Sequence, residues 1–234
     1  MKIWFITFGS HSSYINAAMR LSSQAKSFNI FTNIIAYTGS YLLQDTFWNK
    51  HGNFIRQNNR GFGYWLWKPY LIQKSINQLE DGDILMYLDC GCELDIREKE
   101  YLLFCLDSVK RDKIIGCDTF CLEREWCKQD VIELLGMTGS SHLTTSQHEA
   151  GALMFFVCPE TRDIINQWYD LSCTYHNIDD SPSILPNVPE FREHRHDQSI
   201  FSLLTKKYNL FSTINMKEKC VKYIRNRTGF SRLR

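Results

Sequence analysis

The sequence predicts an α/β protein with a central, mostly parallel sheet flanked by helices. Two observations carry this expectation. Short apolar runs rich in β-branched and aromatic residues alternate with stretches of helical period. The chain of 234 residues, 44% hydrophobic, is long enough to bury one substantial core, so a single domain over 1–234 is expected.

The first element is an apolar strand over residues 2–8, which stops at Gly9-Ser10; beyond it Tyr14, Ala17, Ala18 and Leu21 recur at helical spacing. A second strand over 33–37 ends at Thr38-Gly39. A helix over 69–79 and the turn Glu80-Asp81-Gly82-Asp83 lead into a third strand, 84–88. Further strands are expected at 113–117 and 152–157, and helices at 159–173 and 197–207, the last carrying Ile200, Phe201, Leu203 and Leu204 on one face. Residues 177–193, with Asp179-Asp180-Ser181-Pro182, Pro186 and Pro189, form an irregular loop of a length that often serves as a lid.

With 27 basic against 26 acidic residues, no global field favours nucleic acid as partner. The nine cysteines, odd in number and set mostly in apolar segments, suit reduced thiols of a cytoplasmic protein. Cys117, Cys121 and Cys127 cluster, but without paired C-x-x-C knuckles they read as buried thiols rather than a zinc site. The N-terminal apolar run is too short for a signal segment, and no later run approaches the roughly 18 residues of a spanning helix, so a soluble, unprocessed protein is expected. Residues 217–234 differ: Lys217, Lys219, Lys222, Arg225, Arg227, Arg232 and Arg234 alternate with Val221, Tyr223, Ile224 and Phe230. Such a basic amphipathic tail suits peripheral contact with an anionic membrane, a diphosphate, or plain solvation.

Three segments carry chemistry. In Asp83-Ile84-Leu85-Met86-Tyr87-Leu88-Asp89-Cys90-Gly91-Cys92-Glu93 an apolar strand delivers Asp89 at its C-terminal end, where ligands bind in open α/β sheets. A carboxylate there can hold a divalent cation against a nucleotide diphosphate, and Gly91 admits close backbone approach; a plain turn is the other reading. The segment Arg60 to Tyr70 crowds Trp65 and Trp67 beside Lys68 at the entrance of a helix. Aromatic faces suit a sugar or a base and the lysine suits phosphate at a helix N-terminus, against a buried core with a snorkelling lysine. The segment Glu190 to Ile200 surrounds Asp197 with His194, His196, Arg192, Arg195 and Gln198; capping accounts for Asp197 alone, and the company suits proton and charge management.

Gly63-Tyr64-Trp65-Leu66-Trp67-Lys68-Pro69, Tyr87-Leu88-Asp89-Cys90-Gly91-Cys92 and Glu193-His194-Arg195-His196-Asp197-Gln198-Ser199, in this order, resemble a family of small GT-A glycosyltransferases of bacterial and large-virus polysaccharide gene clusters, over roughly 1–215. More distantly the chain is similar to the glycogenin and lipooligosaccharide galactosyltransferase group, in which a D-x-D motif binds Mn2+ and a D-Q-D element lies beside the anomeric carbon. Asp197-Gln198-Ser199 matches that element except at Ser199, and Asp89-Cys90-Gly91 lacks the second aspartate of the metal motif.

The resemblance implies a GT-A (Rossmann-like) fold and transfer of a sugar from a nucleotide-sugar, a UDP-sugar foremost, to a glycan or other hydroxyl acceptor, with Mn2+ or Mg2+ on Asp89. It places Thr7, Phe8, Gly9 and Tyr37 around the base and ribose, with Lys68, Leu88, Asp89 and Gly91 on the donor. It sets Trp65, Trp67, Trp126, Lys128, His194 and His196 along the sugar and acceptor pocket, residues 125–130 reading equally as a surface helix start. Gln147-His148-Glu149-Ala150-Gly151-Ala152 resembles the acceptor-side segment, with Glu149 near the sugar. Glu149 and Asp197, with Gln198, are the catalytic candidates: a base gives inversion, a nucleophile or ion-pair stabiliser retention. A nucleotidyltransferase would want a Gly-rich basic loop that Phe8-Gly9-Ser10-His11 does not offer, and a non-catalytic glycan-binding module would not need the polar cluster 194–198.

Overall fold

The computed structural model describes residues 1–233. In chain order the elements are β1 (Ile3–Gly9), α1 (Ser12–Ser27), β2 (Asn33–Thr38), α2 (Gly39–Leu43), α3 (Thr46–Gln57), the short coil α4 (Gly61–Tyr64), α5 (Trp67–Ile76), β3 (Ile84–Leu88) and β4 (Glu93–Leu94). There follow α6 (Lys99–Asp112), β5 (Ile114–Leu122), α7 (Glu123–Trp126), α8 (Gln129–Leu134), β6 (Ser146–Phe156), α9 (Pro159–Ser172), α10 (His196–Lys207), β7 (Ser212–Thr213) and β8 (Val221–Lys222).

The main sheet has the order β2-β1-β3-β6-β5-β7. β1 pairs in parallel with β2 and β3, and β5 with β7, whereas β6 runs antiparallel to β3 and β5. Five strands therefore share one direction, and β6 starts at the edge where the others end. β3 is buried along its whole length, as a strand covered on both faces must be. Its side chains alternate between two cores, Leu85 and Tyr87 facing the layer of α3, α5, α9 and α10, Met86 and Leu88 facing α1 and α6.

The buried halves of β5 and β6 match the expected strands 113–117 and 152–157. Their outer halves are longer than expected, because polar residues and register shifts beyond Gly116 break the apolar run there. α5 begins at Trp67, so Pro69 is its third residue, still within the first turn where a missing N–H costs no helical bond.

The basic tail is folded against the body, which corrects its reading as a solvated extension. β8 pairs antiparallel with β4, Glu93 opposite Lys222. The buried Glu93 carboxylate accepts from Asn226 Nδ2 at 2.6 Å, Arg232 N at 2.9 Å and Gln24 Nε2 at 2.8 Å. Arg20 of α1, also buried, donates to Cys90 O at 2.8 Å, Cys92 O at 2.7 Å and Asn226 O at 3.2 Å. A buried charge pair so surrounded by hydrogen bonds can replace the lost water. Among the described residues no helix is long and apolar enough to cross a membrane.

Candidate active site

A cavity of about 830 Å³ opens at the edge where β1 and β3 end and β6 begins. Phe8 with Gly61, Phe62, Trp65 and Trp67 forms one wall, Asp89, Cys90 and Gly91 the floor, and Glu149 with Tyr223, Arg225 and Arg227 the opposite side. Gly9 makes the β1–α1 turn possible: a Cβ there would sit 2.4 Å from Tyr14 O.

The aromatic wall depends on an uncommon backbone. Gly61, Phe62, Gly63, Tyr64 and Trp65 have φ of 58°, 55°, 82°, 52° and 60°, a left-handed helical turn. It is closed by Tyr64 N donating to Arg60 O at 2.8 Å and Trp65 N to Gly61 O at 3.2 Å, and Trp67 Nε1 adds a bond to Gly61 O at 2.9 Å. Each non-glycine residue in this conformation costs about 1–2 kcal/mol. Packing offsets that cost: Trp67 stacks on Phe8 with centroids 4.0 Å apart, and Tyr64 stacks on His196 at 5.3 Å. The turn presents Phe62 and Trp65 to the cavity while Leu66 is buried in the core.

Behind the floor runs a chain of charges. Asp89 Oδ1 accepts from Tyr87 OH at 2.5 Å and lies 3.3 Å from Lys68 Nζ, which is 3.5 Å from Asp197 Oδ2. Lys68 is buried; burial pulls its ammonium down, but Asp197 and Asp89 together outweigh it and hold it above its ordinary value. Asp197 is buried as well, and burial, aided by the charge of Asp89 and opposed by Lys68, pushes its carboxyl up to about 7. One ammonium faces two carboxylates, so Lys68 stays charged and Asp197 is the member that titrates. Asp197 is the second residue of α10 and not its cap, because Lys68 claims its carboxylate. Gln198 ties α10 to β6, donating to Gln147 Oε1 at 2.9 Å and accepting from Ala150 N at 3.3 Å.

The structure thus brings Phe8, Trp65, Trp67, Asp89, Gly91 and Glu149 to one cavity, with Lys68 and Asp197 a layer behind. Glu149 pairs with Lys217 at the rim. Other residues expected at the site lie elsewhere. Thr7 and Leu88 are buried in the sheet, and Tyr37 is buried with its hydroxyl 3.0 Å from Ser75 Oγ. Lys128 spends its ammonium on His176 O at 2.8 Å, Asp179 at 2.9 Å and Ser181 at 3.2 Å, which pins the loop after α9. His194, held by Lys128 N at 3.2 Å and Asn177 O at 2.7 Å, is driven by burial down to about 3 and is neutral. These two residues border a separate recess of about 480 Å³ formed by the 180–194 loop. His196 reaches Asp180 at 3.0 Å, and Trp126 lies beneath the Arg195 guanidinium at 4.0 Å. Sequence reasoning missed Ser10, His11, Tyr14, Asn59 and Phe62 as cavity residues; the tail arginines were visible only as a basic stretch compatible with a diphosphate.

The residues around Asp89 do not fit a divalent cation. Oδ1 of Asp89 is already engaged by Tyr87 and Lys68, and the position that would supply a second carboxylate is Gly91, whose carbonyl accepts from Asn226 N at 2.9 Å. Among the described residues no three His, Cys, Asp or Glu side chains gather as a metal-binding group. Arg225 and Arg227, both cationic, line the same cavity.

No protein-family model matches the chain, and no curated protein matches it. Among solved structures, the galactosyltransferase LgtC in complex with donor and acceptor sugar analogs aligns with 93% of this chain and 74% of its own at 15% identity and a TM-score of 0.50. Mouse xyloside xylosyltransferase 1 aligns over 93% of this chain and 86% of its own at 10% identity and 0.48. A glycosyltransferase involved in glycosylation of the major capsid of PBCV-1 does so over 73% and 66% at 11% and 0.39. The likeness to LgtC, together with the sheet order, gives this chain the GT-A fold.

Proposed function

We propose that the protein is a glycosyltransferase that moves a sugar from a nucleotide-sugar, a UDP-sugar foremost, to a hydroxyl of a glycan acceptor. The observation that carries this reading is the strand-end cavity, in which an aromatic wall, a reachable carboxylate and the Asp89–Lys68–Asp197 chain meet. Phe8, Trp65 and Trp67 offer faces for a base or a sugar, and the free lone pairs of Asp89 suit ribose hydroxyls. Lys68 and Asp197 act as positioning residues that hold Asp89 in place, and Gln198 fixes the backbone next to Glu149. Glu149 is the second carboxylate in the cavity, beside Asp89, and the candidate for direct contact with the reacting sugar. In the transfer an acceptor oxygen bonds to the anomeric carbon, the bond from that carbon to the diphosphate oxygen breaks with its electron pair, and the acceptor proton passes to a base. Mn2+ or Mg2+ on Asp89 is what the family resemblance implies, but the residues present do not fit it.

We place the protein in the cytoplasm on the strength of its nine unpaired cysteines. The exposed Ile224 and Phe230 are the part of the tail left for contact with a membrane surface.

The test is nucleotide release from a panel of UDP-, GDP-, CDP- and dTDP-sugars with simple sugar acceptors. One donor is expected to turn over, with Glu149→Gln lowering kcat by about 100-fold or more while the circular dichroism spectrum stays unchanged. Glycan binding by the wild type without release from any donor would make it a binding module, and pyrophosphate release from nucleoside triphosphates would make it a nucleotidyltransferase.

A further inference from the structure

We propose that the cavity holds the donor diphosphate without a divalent cation, the positive charge coming from Arg225 and Arg227 of the C-terminal strap. This rests on the nucleotide-sugar reading and deepens it at the same site.

Asn226 is the anchor. It is fully buried, its N–H bonds to Gly91 O at 2.9 Å, its side-chain amide to Glu93 Oε1 at 2.6 Å, and its own carbonyl accepts from Arg20 at 3.2 Å. The residues on either side of it, Arg225 and Arg227, are exposed and line the cavity beside Asp89 and Gly91. Arg225 has a φ of 47°, a conformation that a non-glycine residue keeps only where its surroundings enforce it. Arg227 lies over the Tyr14 ring at 5.1 Å, at the start of α1.

Most other guanidinium groups at this end of the molecule are spent. Arg20 is bonded to backbone carbonyls, Arg60 is paired with Asp180 and Glu193, and Arg195 with Glu193. Arg225 and Arg227 make no ion pair among the described residues, so two cationic residues without an acidic partner line a cavity whose carboxylates are already paired, Asp89 with Lys68 and Glu149 with Lys217. Arginine forks match phosphate oxygens with two parallel hydrogen bonds. A divalent cation placed on Asp89 would instead meet Lys68 and both guanidinium groups as like charges.

The experiment is calorimetric titration with inorganic pyrophosphate and with UDP, each in EDTA and in MnCl2. It is run on the wild type, Arg225→Ala/Arg227→Ala and Arg225→Lys/Arg227→Lys, with thermal unfolding of each variant as a check on folding. Both probes are expected to bind the wild type in EDTA, with a Kd within about twofold of that in MnCl2. The double alanine variant is expected to lose about tenfold per guanidinium, and the lysine variant to recover part of it, as loss of a bidentate fork with retained charge dictates. Tightening of tenfold or more by Mn2+ in the wild type overturns the proposal, as does an unchanged Kd in the folded alanine variant. Pyrophosphate binding in EDTA without UDP binding supports the arginine site and sinks the nucleotide-sugar reading. UDP binding only with Mn2+ does the reverse, and binding of neither probe sinks both.

Discussion

A carboxylate enclosed with an ammonium and a second carboxylate changes how stability responds to acid. Asp197 keeps its proton in the folded chain up to about pH 7, against 3.8 unfolded. Between those values the folded state binds more protons than the unfolded one, so the contribution of this group is full at the acid end and falls as pH rises through 7. Asp197→Asn removes the titration while keeping the shape. In urea unfolding from pH 4 to 7.5, the stability of the wild type relative to this variant is expected to decline with rising pH; parallel curves would refute the buried titration. Asp89, Lys68 and Asp197 were each legible in the sequence, as a strand end, a helix entrance and a polar cluster. Their union through one Nζ was not, because it depends on how closely the start of α5 approaches the end of β3. Lys128 and Tyr37 looked like site residues for the same reason: residue type shows chemistry, whereas the partners His176, Asp179 and Ser75 that absorb it lie far along the chain.

At the scale of elements the left-handed turn at 61–65 is the part most exposed to substitution. A Cβ on Gly63 would lie 2.7 Å from Ile55 Cγ1 at a φ of 82°, whereas one on Gly82, at φ 94°, meets nothing within 4 Å. Both substitutions suffer the conformational cost, and only Gly63→Ala adds a clash. Gly63→Ala is therefore expected to lose about 2–4 kcal/mol and Gly82→Ala about 1 kcal/mol, read from denaturant midpoints. Equal losses would mean that Ile55 yields freely. The buried strands were legible from apolar, β-branched runs, and α9 from its initial proline. The helical hand at 61–65 was not, since two glycines among aromatics read only as chain breakers. The two-residue strands β4, β7 and β8 are too short to leave a pattern.

For the whole molecule, the strap joins the C-terminal segment to α1 and to the floor of the cavity. Asn226→Ala takes from Glu93 Oε1 its side-chain amide donor in a site closed to water, and is expected to cost about 1–3 kcal/mol in urea unfolding. A loss below about 0.5 kcal/mol would mean that Gln24, Ser231 and the Arg232 N–H suffice to hold the carboxylate. The parallel half of the sheet was legible because strands alternated with helices. The reversal of β6 was not, since strand direction leaves no mark on local composition. Even so, that reversal brings Glu149 to the same edge as Asp89.

The strap also sets an order in time. A chain made from its N-terminus has all of β1 to β6 by residue 156, but the wall bearing Tyr223, Arg225 and Arg227 arrives some seventy residues later. Until then Glu93, made early with its partners Arg20 and Gln24, lacks the bonds from Asn226, Ser231 and Arg232. A nascent chain therefore carries strands β1 to β6 before its pocket has the wall that the strap supplies.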